Sequence, residues 1–199
     1  MDRAFRRSIG LGCLVALLAG GVAATPAAAG QTGKRRDFVI EPEHLACILE
    51  WDRVRNFRIT NLVSERKRKR ALRVAKRERG RYPVGTVIQL IPFEVMVKRG
   101  RGFSKETRDW EFLTLAGFRQ FRLQLDPATG NPIIDTRGTT EVVNFLDGNC
   151  FACHGKSKKR FDLVCEQEHG CDPLPLSGLT PEGFDDIART GDPRCAALP

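Results

Sequence analysis

The sequence has few of the neutral side chains that bind metals and cofactors. Its 199 residues include two methionines, three histidines and one tyrosine. One methionine is Met1, so Met96 is the only one within the chain. Sites that combine several methionines or many imidazoles are therefore excluded. Metal or cofactor binding through sulfur or imidazole ligands therefore has to use cysteines together with His44, His154 or His169.

A long apolar run is missing after residue 29, so we expect no transmembrane segment in the rest of the chain. Residues 2–7 are short and net positive, residues 9–24 are apolar, and Ala27-Ala28-Ala29 supplies small residues for cleavage. This is the layout of a secretory signal peptide, whereas a membrane anchor needs a longer apolar run. We expect residues 1–29 to be removed and the protein to be periplasmic or secreted.

The remaining chain is long enough for one domain with its own core. Residues 30–42 are polar and predict a linker, and residues 43–199 predict a single domain. Six cysteines remain, which an exported protein oxidises in pairs or uses chemically. If two of them hold a cofactor, the other four can pair in three ways. One way joins the neighbours in sequence and leaves the distant two to each other: Cys165 with Cys171, and Cys47 with Cys195.

The hydrophobic pattern predicts an α+β fold. Apolar positions recur at roughly helical spacing between Glu43 and Leu62, which predicts an N-terminal helical segment. An antiparallel sheet of four to five strands should follow, with strands at 84–91, 93–98, 110–115 and 118–125. Residues 139–149 predict a short helix, capped by Thr140 and ended by Gly148, that leads into residue 150. The last thirty residues are rich in Pro and Gly and predict a loop.

Residues 64–81 are the most basic part of a chain whose formal net charge is +9. They contain ten Lys and Arg and only two Glu. The stretch is either the solvated side of a helix or a docking surface for an anionic partner, such as an acidic redox protein or a membrane surface. It lacks the interleaved aromatic residues of single-strand-binding platforms, so we expect no nucleic-acid partner.

The segment Gly148–Gly155, "GNCFACHG", allows three kinds of site. A zinc site would need further ligands, for which Cys165, His169 and Cys171 are candidates. A redox dithiol belongs at the start of a helix in a βαβ unit, whereas this motif is predicted to follow a helix. The third kind uses every residue of the motif: Cys150 and Cys153 form thioethers with a haem, and His154 ligates its iron. A single haem c is the prediction, with the second ring nitrogen of His154 donating to a carbonyl or carboxylate.

The sixth iron ligand separates electron carriers from ligand-binding proteins. Electron carriers use a methionine or a second histidine. Met96 lies in a predicted strand and has the character of a core residue. His44 lies near a predicted helix start, and His169 lies in a loop between two cysteines. We therefore predict an iron that is open or weakly capped, with a periplasmic electron-transfer cytochrome as the alternative.

Three segments, "YPVGTVIQL", "FEVMVKRGRGFSKETRDWEF" and "CFACHGKSKKRFDLV", resemble the cytochrome P-460 family, which includes the cytochromes c′-beta. The resemblance covers about residues 80–175. It implies a mostly antiparallel β-fold with one haem c on its sheet, hydroxylamine oxidation or binding of nitric oxide and carbon monoxide, and a possible homodimer. It makes Cys150 and Cys153 the thioether residues and His154 the axial ligand. Glu94 falls where the hydroxylamine-oxidising members have a distal acid, a candidate general base; the alternative is an exposed strand residue.

The chain departs from the family at one position. Members that oxidise hydroxylamine attach a lysine to the haem, and the matching position is near Leu90, where there is none. Lys98 and Lys105 align elsewhere. The resemblance thus implies that this crosslink is absent and favours the gas-binding kind, whose distal face is apolar. Four aromatic residues are candidates for that face: Phe93, Phe103, Trp110 and Phe112.

Overall fold

The computed structural model describes residues 37–166, 168–173, 178–196 and 198, which belong to one compact unit. The predicted signal peptide at 1–29, and the linker up to residue 36, lie outside the described residues. Within them the fold is α+β, as predicted, and consists of an antiparallel sheet and three α-helices. The sheet has six strands, one more than the upper number predicted.

The six strands follow one another in chain order across the sheet, and every neighbouring pair is antiparallel. Such a meander needs only short connections, and β3, β4 and β5 lie within the segments predicted for them. The strands are β1 (Asp52–Val54), β2 (Phe57–Asn61), β3 (Thr86–Gln89), β4 (Glu94–Lys98), β5 (Trp110–Leu115) and β6 (Ile134–Gly138).

The first helix is made by the basic stretch. Ser64 caps α1 (Glu65–Arg77) by accepting a hydrogen bond from the Lys67 N–H, and only Ala71 and Ala75 of this helix are fully buried. The other two helices are α2 (Cys150–His154) and α3 (Pro181–Gly191). α3 begins at a proline and is capped by Thr180, which corrects the prediction that the last thirty residues form only loop.

The two faces of the sheet cover separate cores. Ile88, Met96 and Phe112 lie side by side in register and pack in one cluster with Cys150 and the buried side of α1. We call this side of the sheet the motif face. The opposite face packs against the N-terminal segment and α3, with a core that includes Val87, Val97, Leu113, Ile48 and Phe184. The cysteine motif therefore lies on one face of the sheet.

The helical segment predicted between Glu43 and Leu62 is not formed. Two short 3-10 turns, Pro42–His44 and Ile48–Glu50, precede a hairpin of β1 and β2. Buried Phe57 and Ile59 alternate with partly exposed residues, which is the period of a strand. The prediction of a helix was wrong because apolar residues that recur every two positions, as in a strand, also recur every four positions, as in a helix.

Two further predictions are wrong near the motif. Residues 118–125 form no strand: the chain turns through a 3-10 segment, Phe118–Gln120, and pairs only at Leu125. The helix predicted over 139–149, with Thr140 as its cap and Gly148 as its end, is replaced by a loop. The Glu141 carboxylate accepts hydrogen bonds from the backbone N–H groups of Thr139 and Thr140, which turns the chain there.

Candidate functional site

The six cysteines in the described part of the chain form two disulfides and leave two free thiols. The two disulfides are Cys47–Cys195 and Cys165–Cys171. This is the pairing named in the sequence analysis, in which the two cysteines that are neighbours in sequence bond to each other. Cys150 and Cys153 are free. This corrects the zinc alternative, because Cys165 and Cys171 are bonded to each other and cannot serve as thiolate ligands beside the motif.

The motif opens a helix instead of following one. Asn149 caps α2 by accepting a hydrogen bond from the Ala152 N–H at 2.8 Å. Cys150 and Cys153 are three residues apart on this helix and lie on the same side. The helix-start position is shared with redox dithiols, so position alone does not exclude that alternative. The antiparallel sheet, however, offers no βαβ unit.

The thiols have the wrong acidity for a redox dithiol. Burial raises the pKa of Cys150 to about 12, and the charge of Glu94 contributes in the same direction. Burial also raises the pKa of Cys153. Reactive dithiols have at least one thiol with a lowered pKa, because the thiolate is the nucleophile. Both thiols here are protonated at neutral pH, which fits residues that await a covalent partner better than residues that exchange disulfides.

His154 has the orientation of a metal ligand. Its Nδ1 lies 2.7 Å from the Leu163 carbonyl oxygen, and since a carbonyl only accepts, Nδ1 donates. No hydrogen bond involves Nε2 within the described residues, so this nitrogen keeps a free lone pair. The ring packs against Phe112 with 5.2 Å between centroids, and burial lowers the pKa of His154. A neutral imidazole with one nitrogen fixed to a carbonyl is the usual form of an axial ligand.

The segment that supplies this carbonyl is itself fixed by a buried ion pair. Lys98 Nζ lies 2.7 Å from Asp162 Oδ2, and both side chains are almost completely buried. Asp162 also accepts from the Tyr82 N–H, and its carbonyl accepts from the Trp110 indole at 2.6 Å. Burial outweighs the attraction of Asp162 and lowers the pKa of Lys98 to about 8. Lys98 on β4 and Trp110 on β5 thus hold Asp162, the residue directly before Leu163.

Met96, the only methionine in the described residues, is a core residue. It is 7% exposed, and its neighbours in register are Ile88 on one side and Phe112 on the other. Phe112 is the residue that contacts the His154 ring. Met96 is therefore packed beside the residues that support His154.

The two other histidines each form a hydrogen bond with the backbone of their own segment. His169 Nδ1 donates to the Val164 carbonyl oxygen at 2.8 Å, and the ring stacks on Phe161. His44 Nδ1 accepts from the Glu41 N–H at 2.9 Å, next to residues that pack on the opposite face of the sheet. Each imidazole is engaged within its own segment.

Glu94 lies close to the motif. Strand alternation places it on the motif face with Met96, and its Oε1 accepts from the Phe145 N–H at 3.3 Å. Burial raises the pKa of Glu94 to about 7. Because its charge also contributes to the raised pKa of Cys150, the acid and the first cysteine are electrostatic neighbours. The fold thus brings Glu94 near the other predicted site residues, although it is 56 positions from Cys150 in the chain.

A cavity of about 310 Å³ lies between the end of the sheet at β5 and β6 and the loop at 141–144; Glu94 is not part of its lining. Thr114, the partner of Glu94 in register, lines it together with Thr136, and their hydroxyls are 2.6 Å apart. Val142, which packs in the same cluster as Cys150, lines it as well. No sequence pattern points to the two threonines, because threonine is an ordinary strand residue.

The predicted aromatic cap is only partly assembled. Phe93 packs on the opposite face of the sheet, and Phe103 is 37% exposed under the guanidinium of Arg99. Trp110 and Phe112 do lie on the motif face, where they contact Asp162 and His154. On the motif face, Trp110 therefore supports the segment at Asp162, and Phe112 supports the His154 imidazole.

Together these features fit a haem held through the motif: two free thiols, a neutral imidazole with a free Nε2, and an apolar sheet face. No family model, curated protein or solved structure matches this chain. In the part of the chain that is described, no helix has both the length and the apolar character needed to cross a membrane.

Proposed function

We propose that this chain is an exported protein that carries one haem c, attached through Cys150 and Cys153 and ligated by His154. The orientation of His154 carries the proposal. A histidine directly after two free cysteines donates Nδ1 to a backbone carbonyl and keeps Nε2 available. The two disulfides are consistent with an oxidising compartment, where c-type haem is attached.

The chain's own residues would fix the axial ligand. The Leu163 carbonyl selects the tautomer of His154, and Phe112 limits rotation of its ring. The ion pair with Lys98 keeps Asp162, the residue directly before Leu163, in place. A haem held here supplies an iron atom whose remaining coordination position accepts a small ligand.

The arrangement of the other candidate ligands favours a ligand-binding site over an electron carrier. Met96 is packed in the core, His44 contacts Phe38 on the opposite face of the sheet, and His169 lies with Glu78 and Glu166 beyond the end of α1. We therefore infer that the protein binds or transforms small nitrogen-oxide species, nitric oxide or hydroxylamine, and also binds carbon monoxide. A periplasmic electron-transfer cytochrome remains the second candidate.

Glu94 is the residue we propose for proton transfer if the protein oxidises hydroxylamine. With a pKa of about 7 it is partly ionised near neutral pH, as a general base requires, and Thr114, its partner in register on β5, lines the cavity. Lys98, the nearest lysine on the same strand face, is engaged with Asp162. With no lysine near Leu90, the crosslink is absent in this proposal, which favours the gas-binding form.

The outer side of α1 is the proposed docking surface for an acidic redox partner. Arg66, Arg70, Arg73, Lys76 and Arg77 are all exposed on it. Charge attraction of this kind raises association rates and weakens with salt. Replacing Arg66, Arg70 and Arg73 with Glu should slow electron transfer to an acidic acceptor at low salt, and an unchanged rate would remove this surface from the proposal.

Covalent haem attachment is the first test. The protein, produced with a periplasmic haem-attachment system, should retain haem after denaturation, and Cys150→Ala/Cys153→Ala should lose it. Cys165→Ala/Cys171→Ala is the matched control, because it removes two cysteines outside the motif and should retain haem. Wild-type protein without covalent haem would contradict the proposal.

A further inference from the structure

A second cluster of ligand-type side chains lies beyond the segment that orients His154. Glu78, Glu166 and His169 bring one possible ligand atom each to within 4.8 Å of the others. Glu78 follows α1, whereas Glu166 and His169 lie in the loop closed by the Cys165–Cys171 disulfide. The fold thus joins two parts of the chain at this point.

His169 is built as a ligand. Its Nδ1 donates to the Val164 carbonyl at 2.8 Å, and its ring stacks on Phe161 with 3.5 Å between centroids and 9° between planes. The side chain is 3% exposed, and its Nε2 is buried with no hydrogen-bond partner. Buried polar atoms are nearly always satisfied, so a fixed imidazole with an unsatisfied lone pair beside two carboxylates points to a missing electrophile.

Arg55 contacts the same carboxylates. Its guanidinium makes two hydrogen bonds to Glu166, both at 2.5 Å, and approaches Glu78 to 3.4 Å. It forms no hydrogen bond with His169, so it satisfies the carboxylates and leaves the imidazole nitrogen unpartnered. Arg55 also donates to the Ala75 carbonyl oxygen at 3.1 Å, and its side chain is 35% exposed, so a bound cation would compete with it for the two carboxylates.

We propose that Glu78, Glu166 and His169 form a zinc site. One imidazole nitrogen and two carboxylate oxygens are ordinary zinc ligands, and water completes a tetrahedral set on the open side, where Glu78 is exposed. The imidazole favours zinc over calcium and magnesium, which take oxygen ligands. The proposal is independent of the haem, because none of the three residues belongs to the motif.

Isothermal titration calorimetry with zinc chloride tests this site in the haem-loaded, untagged protein after treatment with a chelator. Binding should saturate at one zinc per chain and be lost in Glu166→Gln and in His169→Gln. Arg55→Gln should bind zinc more tightly, since it removes a competing positive charge. Glu65→Gln is the matched control, because Glu65 is also an acid paired with an arginine but lies outside the cluster; its zinc binding should equal that of wild type.

Wild-type protein without saturable zinc binding would overturn the proposal. So would binding that Glu166→Gln leaves unchanged. If His169→Gln fails to fold, Glu78→Gln decides the question, because Glu78 is exposed and its replacement leaves the packing intact. Zinc binding as tight as wild type in Glu78→Gln would then contradict the site.

Discussion

His154 and His169 donate from Nδ1 to successive backbone carbonyls, those of Leu163 and Val164, at 2.7 and 2.8 Å. One short segment therefore fixes the tautomer of both imidazoles and leaves the Nε2 atom of each without a hydrogen-bond partner among the described residues. The backbone directly before these carbonyls is left-handed at Asp162, with a φ of 54°. The position of this turn thus decides where both rings lie.

The buried pair of Lys98 and Asp162 should be the main stabiliser of that turn. Asp162→Asn keeps the left-handed backbone accessible but leaves the Lys98 ammonium without a counter-charge, so we expect unfolding to become easier by about 3–5 kcal/mol. The double variant Lys98→Met/Asp162→Asn should lose less stability than Asp162→Asn, because it leaves no buried charge. Urea unfolding measures all three proteins.

An exposed ion pair provides the control for that comparison. Arg119 and Asp147 are 3.4 Å apart, and both side chains are more than two-thirds exposed. Asp147→Asn, also at a left-handed position, should change stability by less than about 1 kcal/mol. Equal losses in Asp147→Asn and Asp162→Asn would mean that the buried pair does not hold the turn.

Glu94 should make stability depend on pH. Its pKa is raised in the folded protein from an ordinary 4.5 to about 7, so the folded state binds the proton more tightly than the unfolded state. Stability should therefore fall as pH rises from about 4.5 to about 7, by up to about 3 kcal/mol. Glu94→Gln lacks this titration. It should be more stable than wild type at pH 8 and comparable to it at pH 4, as measured by urea unfolding.

The same substitution tests the proton-transfer role. If the protein turns over hydroxylamine, wild-type rates should rise as pH increases through about 7, where Glu94 ionises, and Glu94→Gln should lose this rise. Glu106→Gln replaces an exposed acid outside the site and should keep the wild-type profile. A Glu94→Gln profile that matches wild type would remove Glu94 from the mechanism.

The two disulfides should contribute unequally. Cys47–Cys195 spans 148 positions, whereas Cys165–Cys171 spans six. In the chain-entropy account the longer loop restricts the unfolded state more, by about 5 kcal/mol against about 2 kcal/mol. Cys47→Ala/Cys195→Ala should therefore lower the midpoint of unfolding more than Cys165→Ala/Cys171→Ala does. The reverse order would show that native contacts around the short loop dominate.

Local patterns predicted the centre of the sheet, whereas haem attachment through the motif stays a prediction. β3, β4 and β5 were found because β-branched runs lie between prolines and glycines. The loop at 139–149 was missed because the Glu141 carboxylate captures backbone N–H groups that a helix would leave free. The Lys98–Asp162 pair joins residues 64 positions apart, and no local pattern records such a contact.

We propose that a haem at this site has an open coordination position. The optical spectrum of the ferrous, haem-loaded protein with and without carbon monoxide tests it most directly, with Met96→Leu as the matched variant. The spectrum should change on addition of carbon monoxide, and Met96→Leu should respond identically. A low-spin spectrum that carbon monoxide leaves unchanged would contradict this proposal and indicate an electron carrier, and a responsive spectrum in Met96→Leu would then identify Met96 as the sixth ligand.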